Sequence, residues 1–162
     1  MNVLREIHRF ALPLPGFGHH LVLLALLLAL VSFFMVLRPG VPALFAWLLR
    51  LNWLAYAVNA LTGIALAVMG QKVPSATLDR VVDGHKLSAF GLPLDSSRTF
   101  DHYMYTAFCL LTLYALEVLI AGRLIKEGWL RRVLFVVATV FLFGCAFMAV
   151  RVAFYPGTTP DS

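Results

Sequence analysis

Charge is scarce in this sequence. Asp, Glu, Lys and Arg together make up 13% of its 162 residues, against about 25% in an ordinary soluble chain. Cysteine is scarcer still, with only Cys109 and Cys145. They form no C-x-x-C pair, which excludes the thiol–disulfide oxidoreductase template. Both lie in apolar runs and read as small packed thiols; a disulfide between them would need the third and fourth helices to meet at matching depth. The chain also lacks a phosphate-binding glycine loop, a nucleophile elbow, a paired-carboxylate motif and any H-x-x-x-H or H-E-x-x-H spacing. These absences leave no recognised catalytic template and no metal-ligand spacing. The net charge of +5 is spread between hydrophobic runs, with no dense basic tract. Nucleic acid is therefore not the expected partner; anionic lipid headgroups and the positive-inside bias account for the charge.

Apolar residues are plentiful. They make up 61% of the chain, and the mean hydropathy is +0.87. This composition predicts a single all-α integral membrane domain over residues 1–162, with the lipid bilayer as its solvent. Four runs, near 19–38, 41–70, 101–124 and 130–154, are each long enough to cross a hydrocarbon layer of about 30 Å. The expected fold is an antiparallel four-helix bundle with both termini on one side. The first run is long and no small-residue cleavage site follows it, so it should remain as an anchor. Ahead of it, residues 1–12 place Val3, Leu4, Ile7, Phe10 and Ala11 on one side, and Arg5, His8 and Arg9 away from them. That pattern predicts an amphipathic helix lying in the interface.

The connections are unequal. Residues 38–41 and 122–132 are short, and the second carries Arg123, Lys126, Arg131 and Arg132. That basic density predicts a cytoplasmic side for the short loops, in a bacterial inner membrane, with the termini and the long loop 71–100 outside. Within the long loop, "PSATLDRVVDG" reads as a short surface helix, with Ser75 as N-cap, Gly84 as C-cap and Leu78, Val81 and Val82 as its apolar stripe.

Within the greasy second span, Asn52, Tyr56, Asn59 and Gly63 fall in one narrow sector at 100° per residue, opposite Leu54, Val58, Leu61 and Val68. Two uses of this sector compete. Buried amides hold membrane helices together by hydrogen bonds worth about 0.6–2 kcal/mol, or the sector walls a cofactor, quinone or substrate cavity. Arg50 lies near the opposite side of that helix, and Glu117 sits at similar depth in the third. An unpaired charge there costs several kcal/mol; either Arg50 snorkels to the nearby interface and leaves Glu117 neutral or in water, or, the favoured expectation, the two pair between helices or with another subunit. In the third span His102, Thr106, Cys109, Leu113, Leu116 and Glu117 align; in the fourth, Gly144, Met148, Arg151 and Tyr155 do.

All five histidines belong to the side of the termini and long loop. His19 and His20 open the first span and His102 opens the third. One of the pair together with His102 would suit axial ligation of haem, and His85 or His8 would be recruited to a metal site instead. "GHH" before the first span, "LTG" late in the second and "DHY" at the third resemble stretches of small bacterial four-helix membrane proteins, among them haem-bearing anchor subunits of respiratory enzymes. That resemblance implies a haem or quinone near the outer surface. The first expectation for function is a noncatalytic accessory subunit of a larger, energy-converting membrane complex, not an enzyme by itself, with other membrane subunits or further copies of itself as partners. The alternatives are a b-type haem- or quinone-binding electron-transfer subunit, and a small transporter or channel component using Arg50, Asn52, Asn59 and Glu117.

Overall fold

The computed structural model describes residues 2–10, 19–37, 41–122, 125–126 and 128–157. It contains helices α1 (Asn2–His8), α2 (His20–Leu37), α3 (Ala43–Val68), α4 (Arg98–Ala121) and α5 (Trp129–Phe154). The last four are long and apolar enough to cross a membrane, so the chain is an integral membrane protein with a bundle of spanning helices. The expected spans agree with these helices to within a few residues.

α5 organises the bundle, packing along α4 on one side and α2 on the other, while α2 also packs on α3. Of the neighbouring pairs of spanning helices, α3 and α4 touch least. Leu28, Met35, Phe45, Leu113, Leu116, Phe135 and Leu142 fill the shared core. Polar bonds pin it. Ser32 and Thr139, both fully buried, share a hydrogen bond of 2.7 Å between α2 and α5. Asn52 on α3 donates to the Leu24 carbonyl of α2 at 3.2 Å and to the Leu48 carbonyl at 2.9 Å.

The short-loop end is closed by arginines from the first turn of α5. Arg131 donates to the Leu119 and Ile120 carbonyls at the end of α4, each at 2.7 Å, and Arg132 donates to the Val36 carbonyl of α2 at 2.9 Å. Helix ends leave such carbonyls unsatisfied and carry partial negative charge, so cations belong there. These two residues therefore have a structural role besides any influence on orientation.

The short helix expected over 74–84 is not formed. Pro74–Ala76 make a single 3-10 turn, and then β1 (Leu78–Val82) and β2 (His85–Ser88) pair as an antiparallel hairpin. Its two-residue turn is Asp83-Gly84, with φ of 49° and 81°. Positive φ at both central positions matches the twist of paired strands, and Asp-Gly suits it. β-branched Val81 and Val82 prefer the strand that results. Ser75 is not a helix N-cap: its hydroxyl donates to the Val152 carbonyl of α5 at 2.7 Å. Gly84 is a turn residue, not a helix C-cap.

Asp95 fastens the return of this loop. It is 3% exposed, and its Oδ1 accepts from the Ser97 N–H at 3.0 Å and the Ser97 hydroxyl at 2.6 Å. Its Oδ2 accepts from the Gly157 N–H at 2.5 Å and pairs with Arg98 Nε at 3.2 Å. Burial alone would raise this carboxyl, but the bonds from Ser97 and Gly157 and the charge of Arg98 outweigh it and hold it below the usual range.

Candidate functional site

The polar sector of α3 does turn into the bundle. Asn52 is 0% and Tyr56 2% exposed, whereas Leu54, Val58, Leu61 and Val68 face outward. At the end nearest the long loop this sector meets α1, and the meeting is specific. His8 Nδ1 lies 3.1 Å from the Asn59 carbonyl and 3.1 Å from Thr62 Oγ1. A carbonyl only accepts, so Nδ1 carries the proton. Asn59 Nδ2 donates back to the His8 carbonyl at 3.1 Å, satisfying an orphan acceptor at the end of the short helix. Gly63 permits this approach, because a Cβ there would stand 3.0 Å from His8 Cε1.

α1 therefore does more than lie in the interface. Val3, Ile7 and Phe10 are exposed, while Arg5 and His8 are half-buried against the bundle. The polar side of the helix roofs a pocket of about 110 Å³ in the seam between α3 and α4. One water needs roughly 10–15 Å³ by the same measure; this space takes a small organic group.

The pocket wall is assembled from α1, the start of α2 with His19 before it, α3, α4, α5 and the start of the long loop. His8, His19, Tyr56, Asn59, His102, Thr106 and Cys109 supply the polar atoms. Ala146, Ala149 and Ala153 of α5 form the opposite wall, and their small side chains, on one helical face, leave the room. Arg5, Arg9 and Lys72 also line it; Arg5 donates to Gln71 Oε1.

Three imidazoles meet here. His8 and His102 are 6.1 Å apart between ring centroids, and His102 Nδ1 donates to the Ala149 carbonyl at 2.7 Å. Both rings thus spend Nδ1–H on main-chain carbonyls, which leaves Nε2 as a lone-pair acceptor in the neutral form. Burial, and then the proximity of His102, push the His8 pKa below 6.5 against the opposing effect of the Asn59 carbonyl, so His8 is neutral at pH 7. Tyr56 Oη and His19 Nδ1, both buried and on residues of the pocket wall, make no hydrogen bond of good geometry among the described residues; Tyr56 has only the weak Cys109 thiol within reach. Buried polar groups are ordinarily paired, and an open donor on Tyr56 beside open acceptors is a binding constellation.

His20 is set apart from this site. It stacks on His19 at 4.7 Å and binds the Phe10 carbonyl through Nδ1 at 2.8 Å. His85 is exposed on the hairpin. Sequence reasoning placed His102 and His19 at this end but took His8 only as a metal alternative. The signal for His8 was available in its phase on α1, opposite the apolar stripe. Among the described residues no group of three or more His, Cys, Asp or Glu side chains is arranged to hold a metal ion. Nor do Arg50 and Glu117 pair within the chain: Arg50 is exposed, Glu117 is half-buried, and the ion pairs among the described residues are Asp79–Arg80, Asp95–Arg98 and Arg98–Asp101. Cys109 and Cys145 are both buried and free. On α5, Gly144, Arg151 and Tyr155 face outward.

No family model, curated protein or solved structure matches this chain.

Proposed function

We propose that this chain is the quinone-binding subunit of a larger, energy-converting membrane complex, and that the pocket beneath α1 holds the head group of a lipid-soluble hydroquinone. The carrying observation is the buried Tyr56 hydroxyl, with only the weakly bonding Cys109 thiol beside it, on the same pocket wall as His8 and His102, whose Nδ1–H groups are spent on carbonyls. A hydroquinone is both donor and acceptor. Its O–H groups suit neutral imidazole Nε2 atoms, and its oxygens suit the Tyr56 O–H. The seam position favours a ligand that arrives from the bilayer, with the ring in the pocket and the tail among lipids. As the hydroquinone is oxidised, the imidazoles are bases placed to take its hydroxyl protons, while its two electrons pass to a redox centre of a partner subunit. In this reading the chain is not an enzyme alone. It sits in a bacterial inner membrane with the pocket and long loop outside, an orientation supported by the basic residues of the 122–132 loop.

Titration of a short-tailed ubiquinol into the protein in lipid nanodiscs tests this. Tyr56→Phe removes one oxygen without changing shape and should weaken binding about 3–10-fold, the worth of one hydrogen bond, with the fold intact. Equal affinity in Tyr56→Phe and His102→Ala would reject the site.

A second reading is favoured by one specific feature. Two imidazoles whose Nδ1–H groups are fixed by carbonyls are oriented as haem ligands commonly are; a macrocycle exceeds the space of about 110 Å³, so this reading requires α1 to swing away from α3. His8 with His102 would be the ligands, in place of His19 or His20. A reduced-minus-oxidised absorption spectrum of the isolated chain separates the readings: sharp haem bands that vanish in His102→Ala favour haem.

A further inference from the structure

Arg50 and Glu117 belong to neither the pocket nor the core. Arg50 projects from the outward face of α3, where Trp47 and Leu54 beside it are 62% and 64% exposed. It lies about 10 Å, two helical turns, in from Ala43. Glu117 lies about 6 Å in from Ala121 at the same end of the bundle. It follows the pocket residue Thr106 along one line of α4, about three turns away, so it borders the seam with α3. Neither side chain has an ion pair or hydrogen bond among the described residues.

A charge facing hydrocarbon at the membrane centre costs about 2.5–3.5 kcal/mol on insertion scales. Arginine escapes part of this by reaching toward headgroups; glutamate is too short to reach as far. The chain thus presents one cation and one anion, with no ion pair between them, toward the short-loop ends of the neighbouring helices α3 and α4.

We infer that this face is an interface with a second copy of the chain, in which Arg50 of each copy pairs with Glu117 of the other. Charge complementarity selects this occupant. A two-fold axis carries the same patch on both copies, so a single opposite pair per chain becomes two intermolecular ion pairs and all four charges are matched. A foreign partner would have to bring its own cation and anion at the same depths. Exposed Trp47, Leu54, Leu111 and Tyr114 supply apolar packing around the pairs.

The test co-expresses two differently tagged chains, one Arg50→Cys and one Glu117→Cys, and oxidises them in native membranes. The native Cys109 and Cys145 are buried and stay silent. A disulfide product carrying both tags, lost when either new cysteine is omitted, is expected. Charge variants supply the second arm: Arg50→Glu alone should abolish the dimer counted by single-molecule photobleaching in lipid, and adding Glu117→Arg should restore it. The inference is overturned if wild-type chains count as monomers. It is equally overturned if the two-tag product fails to form while a chain carrying both cysteines cross-links within itself. Neither arm touches the pocket, so ligand binding can fail while this interface stands.

Discussion

Asn52 and Asn59 sit in the same sector of α3 and perform different work. Asn52 binds α2 through the Leu24 carbonyl; Asn59 binds α1 through the His8 carbonyl. Replacing Asn52 with Leu should cost about 0.6–2 kcal/mol of bundle stability, the usual range for interhelical bonds in membranes, as measured by steric trapping in bicelles, and should leave α1 docked. Gly63 sets a finer balance. Gly63→Ala gains about 0.5–1 kcal/mol of helix preference but drives a methyl against His8 Cε1, at 3.0 Å, and overpacking costs about 1–3 kcal/mol. The contact is to the tip of a side chain that borders the pocket, so His8 needs to give only a few tenths of an ångström and Gly63→Ala should be close to neutral, whereas Gly63→Leu should release α1. Hydrogen exchange of the α1 amides reads both variants; unchanged protection in Gly63→Leu would show that His8 does not anchor α1.

At the scale of elements, the attachment of α1 should depend on pH. An undocked His8 titrates near 6.5, and the docked one lower because burial and His102 disfavour its charged form. Between those values the undocked state binds more protons, so docking is complete above about pH 6.5 and weakens as pH falls toward the docked pKa. Asp95 has the same sign in a more acidic window, because its docked pKa lies below 3.8. The tie from the long loop to Gly157 should hold down to about pH 4 and fail below it. Hydrogen exchange of α1 and of residues 94–97 between pH 8 and pH 3 should separate the two transitions, α1 loosening first. These attachments are also where sequence reading ran out. The spans were legible because a bilayer demands long apolar helices, and the phase of Asn52, Tyr56 and Asn59 told which face turns inward. The hairpin was missed because Leu78, Val81 and Val82 fit a helical stripe, and the Asp83-Gly84 turn signal was read as a helix end. That the α3 sector walls a cavity is legible as an alternative in its phase, but the make-up of the pocket is not, because it needs α1 folded onto α3 and three small alanines of α5 opposite. Both are contacts between elements far apart in sequence, which no local period reports.

For the molecule as a whole, the unequal ends imply a fixed direction of insertion. The short-loop end has Lys126 exposed and Arg131 and Arg132 spent on helix carbonyls; the other end holds the hairpin, α1 and the pocket. Odd and even spans run in opposite directions, so α1 and the hairpin emerge on one side and Lys126 with the start of α5 on the other. Cysteine placed at exposed His85 should react with a membrane-impermeant maleimide added outside intact cells, and cysteine at exposed Lys126 only after the membrane is opened. Buried Cys109 and Cys145 give no background. Labelling in the reverse order would invert the orientation, and with it the side to which the imidazoles of the pocket would release protons. Labelling of both positions from outside would deny an even number of crossings between them. The direction matters for the proposed chemistry: protons taken from a hydroquinone by His8 and His102 leave beside α1, so the side on which α1 lies decides whether oxidation adds to or draws down a proton gradient.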